Sequence, residues 1–543
     1  MLRLPNASRL SLLVCLFLAS VLLLTGACGG GAPDGGDAGG GDADGGDAGD
    51  GGDAGDGDGG DVADGDFTRF EIHSAPADWI DDYRAGVALM MTRDTTDPTS
   101  WQYQANIHGV PGDFSSCPAE TAPNQVAWST CQHGQFFFLA WHRMYLYYFE
   151  RIVRDAVAEA TNGARTDWSL PYWDYEQFHA LPEPFRVPAD SSNSLFVSER
   201  AGNCNNGDNN CVSAATGSAT DALDTVPVCS CPSGEPSCDG CLPNLFPSQT
   251  FFGGLVPGAT HFGSATGELE SQPHNVVHNA IGAGGWMSDP NCAARDPIFW
   301  LHHANIDRLW QVWLNQGGGR VDPIQSATWK DEVFTFFDVE NGMTVERQMT
   351  GCEILNMATQ LDYTYEGVPV DNVVLCGGPQ PATASVASVT AARELASNDT
   401  DVGLGGGRSN LSVKVPVSAT ASSVGEDEEY LVVVDDLELL AQGAFYQVYL
   451  NLPEGTEPDP EGPHFLGNLA LFGHVPEQME GHGGVRYSRT YDISDNVREL
   501  SGRGEWTGDV DLTFVRGNPA PATASAQPDT FIRVGKVAVT HRR

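Results

Sequence analysis

Six histidines fall in two groups of three within the apolar, tryptophan-rich part of this chain, and they limit its fold more than any other feature. His108, His133 and His142 form the first group, with Cys131 two residues before its middle member. His274, His278 and His303 form the second, inside the strings PHNVVHNAIG and RDPIFWLHHANIDRLW. Neutral imidazole is a preferred ligand of copper, so two all-histidine triads point to a pair of facing metal ions and to oxygen chemistry. On a helix, His274 and His278 project from one face a turn apart. His133 and His142 are too far apart to share a turn, so folding has to bring them together. Any one of these histidines taken alone reads better as a core residue satisfied by a backbone carbonyl. The set as a whole reads as a metal centre.

Two long helices carry part of the set. Apolar residues recur at helical spacing through FFFLAWHRMYLYYFERIVRDAVAEA, which predicts one helix over Phe136 to Ala160. Asp296 as N-cap and Pro297 at the first helical position announce another, running to the glycines at 317–319. Ile298, Asn305 and Leu309 line up with His302, while Phe299, Ile306 and Trp310 line up with His303, so periodicity does not choose between the two neighbours. Asp307 and Arg308 read as a charge pair. Past LDYTYEG, the stretch PQPATASVASVTAARELASND lacks apolar periodicity and reads as a linker over residues 368–410. NLSVKVPVSA, EEYLVVVDDLELL, FYQVYLNL, VDLTFV and FIRVGKVAVT then alternate apolar and polar residues. The expected fold is a mainly α catalytic domain over residues 67–367, a helical bundle with long loops, followed by an antiparallel β-sandwich over 411–543.

Arg3 and Arg9 precede an apolar run from Leu10 to Leu24 that is too short for a stable span, so residues 1–27 read as a bacterial export signal. LLLTGAC sets small residues before Cys28, the lipidation candidate, which predicts an exported, membrane-anchored lipoprotein, with plain secretion as the alternative. Residues 28–66 are almost only glycine, alanine and aspartate and read as a disordered tether. A formal net charge of −44 argues against nucleic acid and anionic lipid as partners and leaves the lipid anchor as the only membrane contact. Of 13 cysteines, ten remain after Cys15, Cys28 and Cys131 are set aside, and in an oxidising compartment they predict up to five disulfides. Those at 204, 211, 229, 231, 238 and 241 crowd one loop insertion, where CSC and CDGC offer a zinc site as the alternative.

DPIFWLHHANIDRLW from Asp296, with the H-x8-H of His133 and His142 and the P-H-N-x-V-H of His274 and His278, resembles the tyrosinase, catechol oxidase and haemocyanin family of binuclear copper proteins. The likeness covers roughly Phe67 to Glu366 and, less specifically, the β-rich remainder. It implies two copper ions per chain, the first on His108, His133 and His142 and the second on His274, His278 and His303. His302 would then pack or hydrogen-bond behind the ligands. Cys131 and His133 are similar to a form in which sulfur and imidazole carbon are joined as a thioether; a Cys117–Cys131 disulfide is the alternative. The implied activity is oxidation of small phenols with O2, either ortho-hydroxylating monophenols or taking o-diphenols to o-quinones. Glu270 and Asn275 stand where tyrosinase-like members hold a water as base, which favours hydroxylation. A haemocyanin-like reversible oxygen carrier is the alternative, and the YDIS segment at Tyr491 is similar to such carriers. The resemblance also implies a latent chain whose terminal domain plugs the pocket. HFLGNLALFGH offers Phe465, Leu469, Leu471 and Phe472 for that plug, and an activating protease would cut between Gly367 and Asn410.

Overall fold

The helix predicted from Phe136 runs over Phe138–Ala160 in the computed structural model of the chain. The structure describes residues 67–542, apart from 216, 226–250, 255–262, 264–265, 319, 325, 372, 374, 378–392, 415–428, 476–484 and 519–528. The export signal, the tether with Cys28 and the cysteines at 229–241, with their zinc alternative, lie outside the described residues. None of the described helices is long and apolar enough to cross a membrane.

Helix Phe138–Ala160 is the centre of the helical region because it is apolar around most of its girth. Trp141, Tyr145, Phe149, Ile152 and Val153 are all buried. Such a helix needs cover on several sides. Trp79–Met90 packs on one side and Ile298–Asn315 on another, where the rings of Tyr145 and Trp300 lie 4.7 Å apart. Ile298–Asn315 starts behind Pro297, as its sequence predicts, with the Asp296 carboxylate accepting from the Ile298 N–H at 3.1 Å. The two-stranded hairpin Val333–Glu340 with Met343–Thr350 closes a further side, its Phe336 ring 5.7 Å from Trp141. Phe67–Arg69 pairs in parallel with Tyr363–Tyr365, bringing the two ends of the helical region together.

That pairing feeds a buried charge network. Arg69 Nε donates to Glu150 at 2.6 Å, and its guanidinium lies 3.6 Å over the Tyr363 ring. Asp307 accepts from Arg143 Nε at 2.5 Å and from the hydroxyls of Tyr363 and Tyr365 at 2.6 and 2.7 Å. Burial by itself would raise the Asp307 pKa, but Arg143 and Arg69 hold it below the usual carboxylate value. The expected Asp307–Arg308 pair is therefore wrong. Neighbours on a helix point about 100° apart, so Arg308 reaches Asp174 at 3.5 Å instead.

The remainder forms two four-stranded antiparallel sheets. One has the order Arg486–Asp492, Glu429–Leu439, Ile532–Arg542, Arg393–Leu404. The other runs Ser409–Lys414, Asp509–Arg516, Phe445–Leu450, Phe465–Ala470. Val432, Val434, Ile532 and Val534 of the first share one apolar cluster with Tyr446, Val448, Leu512 and Phe514 of the second. Strand Arg393–Leu404 falls inside the segment expected to be linker. It is an edge strand with mostly exposed or half-exposed side chains, so it carries no apolar alternation to betray it.

Cys117–Cys292, Cys204–Cys211 and Cys352–Cys376 are disulfide-bonded. Cys117 is thus taken by Cys292, which excludes the Cys117–Cys131 alternative.

Replacing Asp307 with asparagine leaves the buried Arg143 guanidinium without its paired carboxylate and should cost about 3–5 kcal/mol in denaturant unfolding. Because the folded-state pKa is depressed, the Asp307 contribution is complete above the unfolded value of 3.8 and fades only as pH falls through the lower folded one. The stability gap between wild type and Asp307→Asn should therefore narrow only in strong acid.

Candidate metal centre

All six predicted histidines are buried, and the structure gathers them into two facing sets. The donor atoms of His108, His133 and His142 lie within 4.8 Å of one another, and so do those of His274, His278, His302 and His303. His108 is the last residue of helix Trp101–His108, whose start is capped by the Ser100 hydroxyl accepting from Tyr103 N. His142 projects from the first turns of Phe138–Ala160. His274 ends a short turn that opens at Glu270, and His278 follows within helix Asn275–Gly282. His303 comes from Ile298–Asn315.

Hydrogen bonds decide which ring nitrogen faces inward. The carbonyl oxygens of Pro290, Phe138 and Met287 accept from Nδ1 of His108, His142 and His278 at 2.7, 2.7 and 2.6 Å. The Asn275 side-chain oxygen accepts from His274 Nδ1 at 2.8 Å. Carbonyl oxygens only accept, so each of these Nδ1 atoms carries the proton and each Nε2 keeps its lone pair. Burial, reinforced by the other imidazoles, holds the pKa of His142, His278 and His303 well below the usual histidine value, and burial takes His274 down to about 3. The rings are therefore neutral. Nε2 of His142 and of His274 has no hydrogen-bond partner, and His278 Nε2 faces His303 Nε2 at 3.3 Å. Buried Nε2 lone pairs on His108, His142, His274 and His278, each fixed by the bond at Nδ1, are the donor set that a late transition metal takes.

His142 and His303 stack with centroids 4.5 Å apart and planes 11° from parallel, which puts His303 between the two sets. His302 stacks instead on His274 at 5.3 Å and meets the Tyr175 ring at 5.6 Å. Cys131 Sγ lies 3.4 Å from His133 Nδ1. Glu270 is buried, accepts from Gly134 N at 2.8 Å through one oxygen, and leaves Oε2 without a partner. Burial raises its pKa to about 8. Asn275 gives its oxygen to His274 and donates through Nδ2 to the Ala470 carbonyl at 3.3 Å.

Of the four plug candidates, Phe472 reaches the histidines. Its ring stacks on His278 at 4.2 Å and lies 5.3 Å from His133 and 5.6 Å from His274. Leu469 and Leu471 are buried in the sheet cluster, and Phe465 packs on Tyr449. Side chains that the sequence does not single out hold Phe472 in place. Asn279 donates to the Leu471 carbonyl at 3.0 Å and accepts from Gly443 N at 3.0 Å. Gly443 sits at φ +84 with backbone so near Gly284 that a Cβ would meet its nitrogen at 2.1 Å. Arg489 grips Glu268 through two bonds of 2.6 and 2.7 Å.

Residues 98–316 match the family model described as the common central domain of tyrosinase, and residues 382–542 match a domain of unknown function, DUF7868. Tyrosinase HcTyr1 of Hahella sp. (strain CCB-MM4) is 31% identical over 508 residues, 87% of this chain and 98% of the relative. The chain belongs to the tyrosinase and polyphenol oxidase family. Catechol oxidase B of Solanum tuberosum is 26% identical over 76% of this chain and 67% of its own length. Latent apple tyrosinase shares the fold, with a TM-score of 0.57 at 22% identity over 88% of this chain and 97% of the other. As a member of this family the protein is an oxidoreductase acting on phenols, and the family's centre is binuclear copper, which fits the neutral, inward-facing imidazoles described above.

Arg489→Met strands the Glu268 carboxylate in a buried site and should lower stability by about 3–5 kcal/mol, and adding Glu268→Gln should restore part of that loss. Chemical denaturation of the two single variants and the double variant measures the coupling.

Proposed function

We propose that this chain is a copper-dependent phenol oxidase that hydroxylates monophenols at the ortho position and oxidises o-diphenols to o-quinones with O2. The observation that carries this reading is the gathering of two buried histidine sets in which hydrogen bonds at Nδ1 leave four Nε2 lone pairs for a metal. His108, His133 and His142 would hold one copper and His274, His278 and His303 the other. His303 is preferred over His302 because it alone of the two stacks on a histidine of the first set. When bound, the copper pair supplies the two-electron exchange between phenol and dioxygen. Two o-diphenols each give up two electrons and two protons, which together reduce one O2 to two waters.

The chain's own groups handle the substrate and its proton. Glu270 Oε2 is a buried acceptor beside the His133–Gly134 backbone, suited to hold a water that takes a phenol proton. Asn275 fixes the His274 tautomer and has a second lone pair and a second amide hydrogen for that water. The Cys131 sulfur, 3.4 Å from His133 Nδ1, would form a thioether that fixes the ring. Phe472 occupies the ground an aromatic substrate would use, stacked on His278, so the uncut chain would be latent beneath a β-sandwich shield. Because Arg393–Leu404 belongs to the shield, an activating cut would fall between Gly367 and Arg393. The oxygen-carrier alternative has no support among the relatives described above, which are named as tyrosinases and a catechol oxidase.

Phe472→Ala in the full-length copper-loaded chain should raise L-DOPA oxidation roughly tenfold or more, since the covered state reduces the competent fraction. Quinone formation followed in a spectrophotometer checks this, and turnover unchanged both in Phe472→Ala and after clean removal of the terminal domain would reject latency. Glu270→Gln should depress tyrosine hydroxylation about 100-fold while sparing most L-DOPA oxidation. Equal losses on both substrates would show that Glu270 is not the hydroxylation base.

A further inference from the structure

The segment Met287–Cys292 carries no proposed ligand, yet it touches both histidine sets. Its Met287 carbonyl holds Nδ1 of His278, and its Pro290 carbonyl, three residues on, holds Nδ1 of His108. Those two rings come from different sets and different helices. One short piece of backbone therefore fixes the tautomer and the aim of a histidine on each side.

The segment is itself pinned to the stretch of chain that follows His108. Cys292 is bonded to Cys117, across a sequence separation of 175. The buried Asp289 carboxylate accepts from Ser116 N at 2.7 Å and Asn291 N at 3.0 Å, and its carbonyl accepts from Cys292 N and Ala293 N, both at 2.8 Å. Residues 109–117, which the disulfide and Asp289 engage, follow directly after His108. The chain from His108 to Cys117, across the disulfide and back through Pro290 to the His108 ring, closes a tight circuit. Gly109 completes the fit: a Cβ there would stand 2.7 Å from the Pro290 oxygen and 2.8 Å from Asn291 Cα, both backbone atoms that cannot swing away.

We propose that the Cys117–Cys292 disulfide and the Met287–Cys292 segment it anchors are a shared positioning element for both metal sites, such that removing the disulfide loosens the hold on both copper ions at once. The groups that orient a ligand ring set its basicity and direction, and losing them typically weakens metal binding by about 10- to 100-fold. The inference rests on the copper reading above.

The test is release of copper from the full-length loaded chain to excess EDTA, well below the unfolding temperature of every variant compared. Wild type, Cys117→Ala with Cys292→Ala, Gly109→Ala, and a control lacking a disulfide outside the Met287–Cys292 segment, Cys352→Ala with Cys376→Ala, are followed side by side. Release of both ions should quicken about 10- to 100-fold without Cys117–Cys292, quicken also in Gly109→Ala, and stay within about twofold of wild type in the control. Equal release from the two disulfide variants, acceleration of one ion only, or unchanged release in Gly109→Ala overturns the proposal. Gly109→Ala retains the disulfide and carries the test if the double cysteine variant does not fold. A wild-type chain that takes up no copper pair overturns the copper reading as well, whereas two ions held as firmly in the variants as in wild type overturn this inference alone.

Discussion

Backbone carbonyls decide the chemistry of this protein. An imidazole has two nitrogens and one proton, and a carbonyl oxygen placed against Nδ1 leaves Nε2 with nothing but its lone pair. Three of the six proposed ligands are set this way by Phe138, Met287 and Pro290, and a fourth by the amide oxygen of Asn275. Burial then keeps the rings neutral, so the interior presents a cluster of uncompensated donors. Such a cluster is costly without a cation and well matched to one.

The surrounding structure serves to hold those rings at fixed separation. Asp307 joins Arg143, next to His142, to the helix that carries His303, and the two tyrosines of Tyr363–Tyr365 bind the same carboxylate. A buried charge network of this kind adds little net stability over apolar packing, but it tolerates few alternative geometries. The terminal sheets use a different principle. Asn275 and Asn279, one turn apart on a helix, grip the successive carbonyls of Ala470 and Leu471 and so bring Phe472 onto His278. The residues that set one imidazole and the residues that seat Phe472 thus share a helix face.

Much of this was legible in the sequence, for a physical reason. Helix Phe138–Ala160 and helix Ile298–Asn315 announce themselves through dense apolar periodicity, and histidine carries its chemistry in its name, so both sets could be drawn up before any fold was seen. What the sequence hid was contact made by backbone. Nothing in SDPNC marks Pro290 as the partner of His108, and nothing in HFLGNLALFGH separates Phe472 from Leu469 or Leu471, because all four plug candidates are apolar and only register decides which one leaves the sheet. Arg393–Leu404 reads as linker because an edge strand with polar side chains has no alternation to show. Asp307 and Arg308 look like a pair because proximity in sequence is visible and a partner 164 residues away, Arg143, is not.

A pair of copper ions, each held by three imidazoles, is what the proposed activity requires. X-ray absorption at the copper edge, together with elemental analysis of the loaded full-length chain, tests it most directly. Two copper ions per chain are expected, each bound by three imidazole nitrogens. One copper per chain, or a shell in which sulfur or carboxylate oxygen replaces the imidazoles, would contradict it.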